Sequence, residues 1–178
     1  MALKDGRVPK QPRRYLSHAE VALFAAAAST PTQRTMIVLL AYCGLRCGEA
    51  VGLQVRDLNM LRRRLQISRT ATDVDGKIIV GAPKSWEKRA VPFPAVLTES
   101  LANLCEGKAS DDLVFADRFG QFLRRPKTSA GTSSWFLDAL IASDIERLTP
   151  HNLQHTAASL AVSSGANVKA VQRMLGHK

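Results

Sequence analysis

The spacing of apolar residues changes twice along the chain, and this change restricts the possible fold more than any other feature. Helical spacing over residues 17–53 gives way to alternation in steps of two over residues 64–92, and helical spacing returns after residue 95. Short strands among helices are typical of α+β proteins and not of doubly wound sheets. We therefore predict an α+β domain that is mostly helical, with a small three-stranded antiparallel sheet.

Local start and stop signals delimit the predicted helices. Ser17 and Glu20 form a capping box for a first helix that runs to about Ala28. Thr30-Pro31 begins a strongly apolar second helix, which ends at Gly44. The other predicted helices cover residues 47–53, 95–104, 133–142, 150–165 and 168–175.

Three strands are predicted in the middle of the chain. Residues 64–70 alternate in polarity, residues 73–76 contain the turn sequence Asp-Val-Asp-Gly, and residues 77–80 form the returning strand. Residues 88–92 give the third strand, with a proline at its end.

Composition limits the class of partner. Apolar residues make up 46% of the 178 residues, which is enough for a packed core, and the net charge of +10 favours a polyanion. Duplex DNA is the predicted partner and an anionic membrane surface is the alternative, although no apolar run approaches membrane-spanning length. The start of the chain lacks the apolar core of a signal peptide, and the three cysteines are interpreted as reduced thiols, so we expect a cytoplasmic protein.

Two polar groups in the first half are candidate ligand contacts. Arg46 lies in Gly-Leu-Arg-Cys-Gly-Glu at a helix junction, where its guanidinium fork suits a phosphate and Glu49 can brace it. A purely structural Arg–Glu pair is the alternative, and these residues alone favour it. Lys84 lies in the connection between two strands, where it is either a ligand contact or a solvated lysine.

The second half contributes three histidines and a glutamine. His151, Gln154 and His155 lie within roughly 100° of arc at the start of a helix, whose N–H groups favour an anion. The two histidines at this spacing also suggest a metal, but the glutamate of a zinc hydrolase and a third ligand are missing, so we predict no metal. His177 follows a helix-ending glycine, where it can donate to a phosphate.

The order of these groups resembles the catalytic domain of tyrosine recombinases, the phage-integrase family. The resemblance extends from about Tyr15 to Lys178 and is most specific in LTPHNLQHTAASLAVSSGANVKAVQRMLGHK, residues 148–178. It implies the catalytic-domain fold of that family. It also implies DNA strand cleavage and rejoining through a 3′-phosphotyrosine link, as in DNA integration and recombination, with neither a metal nor a nucleotide cofactor.

The resemblance also implies roles for particular residues. Arg46 corresponds to the first catalytic arginine, with Glu49 as its support, and His151 and His177 correspond to the two histidines. Lys84 corresponds to the acid that protonates the leaving oxygen, with Lys88 as the alternative. Gln154 occupies the position of the second arginine and cannot supply a charged fork.

The nucleophile has no counterpart in the sequence. In the family a tyrosine follows the Leu-Gly-His segment, and neither Tyr15 nor Tyr42 occupies that position. We therefore expect residues 1–15 to be a basic arm or linker remnant, and residues 16–178 to be a catalytic domain that ends before the nucleophile. Such a domain would bind DNA without cleaving it alone, and would be monomeric without the segment that packs on a neighbouring subunit.

Clustered basic residues are predicted to contact the DNA backbone. These are Arg13, Arg14, Lys88, Arg89, Arg124, Arg125 and Lys127. Three alternatives stay open: a trimmed piece of an active integrase, a regulatory DNA-binding protein that assembles with other recombinase subunits, and a folded remnant without function.

Overall fold

The structure is a computed structural model that describes residues 14–83 and 88–176. The helices in these ranges are α1 (His18–Ala26), α2 (Pro31–Cys43), α3 (Cys47–Val51), α4 (Thr98–Cys105), α5 (Trp135–Ala142), α6 (Pro150–Ser163) and α7 (Val168–Leu175). The strands are β1 (Leu58–Asn59), β2 (Arg64–Ile67), β3 (Thr70–Val74), β4 (Lys77–Gly81) and β5 (Arg89–Pro92). Single 3₁₀ turns precede β1 at Val55–Asp57 and α4 at Ala95–Leu97. The predicted α+β class is confirmed.

The predicted starts of α1 and α2 are confirmed, and both depend on local contacts, whereas the helix predicted from residue 95 begins as a 3₁₀ turn and α5 begins at Trp135 rather than at residue 133. The Ser17 hydroxyl accepts from the Glu20 N–H, and the Glu20 carboxylate accepts from the Ser17 N–H. Thr30 and Gln33 form the same reciprocal pair at the start of α2. Gly44 ends α2 in the left-handed conformation, with φ of 64°.

The strands form two antiparallel sheets. A three-stranded sheet has the order β1-β2-β5, with Leu65 opposite Val91, and β3 pairs with β4 in a separate hairpin. The predicted three-stranded sheet is present, but its membership differs. The strand predicted at residues 64–70 ends at Ile67, and the strand predicted at residues 77–80 pairs with β3, which begins at Thr70 and extends to Val74 within the predicted turn at residues 73–76. The Arg69 side chain lies at the break and donates to the Asp57 carboxylate at 2.7 Å, which anchors the chain where it leaves the first sheet.

Helix α2 lies at the centre of the core and packs against α1, α4 and α6. Leu153 and Leu160 of α6 are buried, as predicted. Gly44 permits close packing at the end of α2, since a Cβ there would lie 2.5 Å from Leu175 Cδ2 and 3.3 Å from Ala157 Cβ. This approach brings the α2–α3 junction beside α6 and α7.

None of the helices in the described ranges combines the length and apolar character needed to cross a membrane. The assignment of residues 1–15 to an arm and of residues 16–178 to a domain stays a prediction.

Candidate functional site

A cleft of about 460 Å³ opens where the α2–α3 junction, strand β3 and the start of α6 meet. Three of the predicted catalytic positions, Arg46, His151 and Gln154, line this cleft, and Glu49 also borders it. The remaining lining residues are Leu45, Cys47, Gly48, Thr70, Ala71, Thr72, Asp73, Ala82, Arg125 and Pro150. The fold therefore brings segments remote in sequence to one site.

Glu49 braces Arg46 at the border of the cleft. Its carboxylate accepts from the Arg46 backbone N–H at 2.9 Å and from Arg46 Nη1 at 3.3 Å. The Glu49 side chain is 1% exposed, whereas that of Arg46 is 31% exposed. Both interpretations of the pair are therefore compatible, because Arg46 is held by Glu49 and still presents part of its guanidinium to the cleft.

Arg89 is placed in the interior, which differs from the expected exposed DNA contact. Its side chain is 11% exposed, and Nη1 and Nη2 each donate to a different Glu49 oxygen at 2.9 Å. Its Nε donates to the Met174 carbonyl at 3.0 Å, near the end of α7. Arg89 and the fully buried Val91 share one face of β5, and this alternation in the sequence was the signal for an inward arginine.

The two arginines determine the ionisation of Glu49. Burial alone would raise the pKa of this carboxyl, but hydrogen bonds and charge from Arg89 and Arg46 outweigh burial and hold its pKa below the ordinary value. Glu49 is therefore a fixed carboxylate that joins α3, β5 and, through Arg89, the end of α7.

The start of α6 presents two side chains to the cleft. Asn152 accepts from the Thr149 N–H at 2.7 Å and from the Thr149 hydroxyl at 2.8 Å, which fixes the first turn. His151 is exposed, and its ring meets that of His155 edge-to-face with centroids 4.8 Å apart. Gln154 is 3% exposed, and its Nε2 has no hydrogen-bond partner. Of the three polar residues predicted on one face, His151 and Gln154 line the cleft.

Comparison with known proteins identifies the family to which this chain belongs. Residues 14–178 match the phage integrase family. The chain belongs to that family. Among curated relatives, it is 29% identical over 181 residues to the tyrosine recombinase XerA of Thermococcus kodakarensis, with 98% of this chain and 58% of the relative covered. It is 31% identical over 144 residues to a tyrosine recombinase of Pseudothermotoga lettingae, with 80% and 44% covered. The chain thus spans about half the length of these relatives.

Solved structures show the same fold. The integrase of the Tn1549 transposon, in complex with circular intermediate DNA, superposes with a TM-score of 0.78 at 22% identity, covering 96% of this chain and 61% of that one. A λ integrase dimer bound to a core site gives a TM-score of 0.67 at 23% identity, covering 95% and 59%. The predicted tyrosine-recombinase catalytic-domain fold is confirmed.

Within this family fold, Arg125 lines the cleft from the loop before α5 and was predicted only as a backbone contact. The neighbouring Arg124 points to the hairpin, where Nη1 donates to the Asp73 carboxylate at 2.8 Å and Nη2 to the Gly76 carbonyl at 3.0 Å. Asp73, which also borders the cleft, is thereby paired. No local pattern in the sequence distinguishes the two adjacent arginines.

The other predicted contacts are distributed unevenly. Lys88 and Lys127 are exposed. Arg14 pairs with Glu20 at 2.9 Å and with Glu146 at 2.6 Å. Arg13, Lys84 and His177 lie outside the described residues, so their predicted roles stay predictions.

Cys47 borders the cleft but is a poor nucleophile. Burial raises the pKa of its thiol to about 11, against a smaller lowering by the charge of Arg125. The thiol is therefore protonated at neutral pH, and the thiolate is the reactive form. Residues 14–83 and 88–176 contain no group of three or more His, Cys, Asp or Glu side chains placed to hold a metal ion.

Proposed function

We propose that this chain is the DNA-binding catalytic domain of a tyrosine recombinase, which holds the backbone of duplex DNA with one phosphate in the cleft. The observation that carries the proposal is the meeting of Arg46, His151 and Gln154 in one cleft. Each of these side chains offers hydrogen-bond donors, and such donors suit the non-bridging oxygens of a phosphate.

Charge and helix geometry support a phosphate ligand. The first turn of α6, a helix of 14 residues, contributes His151 to the cleft, so the positive end of the helix lies at the site. The net charge of +10 favours long-range attraction of DNA. Exposed Lys88, Lys127 and Arg124 provide further backbone contacts in this proposal.

We further propose that these 178 residues do not cleave DNA alone. The chain has two tyrosines, and neither lines the cleft: Tyr15 is exposed, and the Tyr42 hydroxyl lies 2.7 Å from His18 Nδ1. Gln154 is neutral where the family resemblance places an arginine. Loss of one such charged clamp lowers a rate by about a hundredfold or more.

Two similar solved structures are the basis for predicting assembly on DNA. The Tn1549 integrase and λ integrase structures contain DNA, and the latter is a dimer. Association of this chain with other recombinase subunits on DNA, and its monomeric state in their absence, stay predictions.

The proposal is tested by fluorescence anisotropy with labelled duplex DNA at several salt concentrations. The logarithm of the association constant should fall linearly with the logarithm of salt concentration, with a slope of about −0.9 per phosphate contacted. Arg46→Gln should weaken binding by about tenfold, since charged hydrogen bonds contribute about 1.5–3 kcal/mol. Arg118→Gln removes the same charge from an exposed arginine outside the cleft lining and serves as the matched control. Equal affinity of the two variants would contradict a phosphate in the cleft.

A further inference from the structure

We propose that Arg125 supplies the positive charge that Gln154 lacks, so that one DNA phosphate is held jointly by Gln154 Nε2 and the Arg125 guanidinium. This inference rests on the proposed function, in which the cleft takes a phosphate. In the family, one arginine supplies both the hydrogen bonds and the charge; here a helix residue would donate the hydrogen bond and a loop residue would supply the charge.

Gln154 provides the first half of this site. Its side chain lines the cleft but is only 3% exposed. Its Nε2 lacks a hydrogen-bond partner. Buried amide donors are almost always paired in folded proteins, so an unpaired one at a ligand cleft indicates a partner that arrives with the ligand. A phosphate oxygen satisfies this donor, but an amide leaves the phosphate charge uncompensated.

Arg125 provides the charge. It is exposed and lines the same cleft, and within residues 14–83 and 88–176 its guanidinium has no ion-pair partner, whereas Arg124 is bound to Asp73. Its charge acts on Cys47 at the cleft wall, where it lowers the thiol pKa against the larger effect of burial. The guanidinium is permanently charged and has the fork geometry that phosphate accepts.

The pairing of the carboxylates around the cleft leaves the Arg125 guanidinium without an ion-pair partner within residues 14–83 and 88–176. Among the described residues, two carboxylates border the cleft: Glu49 is paired with Arg46 and Arg89, and Asp73 is paired with Arg124. Both acidic groups are therefore neutralised by other arginines. The charge of Arg125 remains for a ligand anion.

Titration with inorganic phosphate at constant ionic strength tests this inference, with ¹⁵N NMR signals of the Gln154 side-chain amide and the Arg46 guanidinium as readouts. Phosphate should shift both signals saturably, and Arg125→Gln should raise the dissociation constant about tenfold. Arg118→Gln, a charge loss in the same loop region but outside the cleft lining, should change it less than about twofold. Adding Gln154→Arg to Arg125→Gln should restore binding, because it returns the charge to the position of the amide.

The outcomes separate the two proposals. If phosphate moves both signals but Arg125→Gln behaves like Arg118→Gln, the role of Arg125 is overturned and the phosphate cleft stands. If neither phosphate nor duplex DNA moves the Gln154 and Arg46 signals, both proposals are overturned. Should the double variant not fold, as judged by its amide spectrum, the comparison of Arg125→Gln with Arg118→Gln decides alone.

Discussion

Replacing Glu49 with glutamine should destabilise the protein by about 3 kcal/mol at neutral pH. The carboxylate is 1% exposed and accepts four hydrogen bonds, two from Arg46 and two from Arg89. Breaking a buried ion pair by removing one partner costs about 3–5 kcal/mol, because the other charge stays buried. Glutamine keeps the shape and one acceptor oxygen, so the lower end of this range applies. A loss of this size lowers the melting temperature by about 6–12 °C in a domain of this length.

The acid limb of the stability curve provides an independent readout. The folded-state pKa of Glu49 lies below its ordinary value of 4.5. Its charge therefore stabilises the fold fully above the unfolded-state pKa, and this contribution is lost as pH falls through the folded-state pKa. The difference in unfolding free energy between wild type and Glu49→Gln should be constant above about pH 5.5 and shrink at lower pH.

Urea denaturation monitored by circular dichroism measures both effects. Glu146→Gln is the matched control, because that carboxylate also pairs with an arginine but is 70% exposed, and exposed pairs contribute about 0–1 kcal/mol. Two results would contradict a buried, ionised Glu49 that holds Arg46 and Arg89. One is a decrease of less than about 1 kcal/mol in the free energy of unfolding of Glu49→Gln. The other is a difference in unfolding free energy from wild type that stays unchanged down to pH 3.

Three further results are expected. Gly48→Ala should lower the free energy of unfolding, measured by urea denaturation, by about 1–3 kcal/mol, because the new Cβ would lie 2.6 Å from Thr70 Oγ1. Gly81→Ala should lower it by less than about 1 kcal/mol, because a Cβ there would have no atom within 4 Å. Cys47 should react with iodoacetamide at neutral pH about a hundredfold more slowly than a small-molecule thiol, because its pKa is raised to about 11; alkylation at an ordinary rate, seen by mass spectrometry, would contradict its burial. Arg89→Lys should lower the free energy of unfolding by about 1–3 kcal/mol although it keeps the charge, because an ammonium cannot form the bidentate pair of hydrogen bonds to Glu49. A melting temperature equal to that of wild type would contradict the importance of this bidentate pair.

The sequence predicted those features that depend on local contacts. The starts of α1 and α2 follow from the Ser17–Glu20 and Thr30–Gln33 capping pairs, each within four residues of chain. Gly44 likewise marks the end of α2 through its own backbone conformation. Such signals are complete within a short stretch, so no knowledge of the rest of the fold is needed.

Features that depend on distant partners were not predictable in the same way. Residues 64–70 alternate like one strand, but β2 pairs with β5 and β3 pairs with β4, and only the partners reveal the break. Arg89 was assigned to the surface because its partner Glu49 is 40 residues away. Arg124 and Arg125 are adjacent and chemically identical, and only the fold shows that one pairs with the hairpin and the other lines the cleft.

In the proposed function, the Arg46 cleft holds a DNA phosphate and this chain does not form a covalent bond to it. A duplex substrate nicked near a cleavage position tests both parts, with a native gel for retardation and a denaturing gel for a protein–DNA adduct. We expect retardation that weakens as salt rises, a loss of about tenfold in affinity in Arg46→Gln, and no adduct. Absence of retardation at low salt on several unrelated duplexes would contradict DNA binding, and an adduct formed by the chain alone would contradict the absence of a nucleophile.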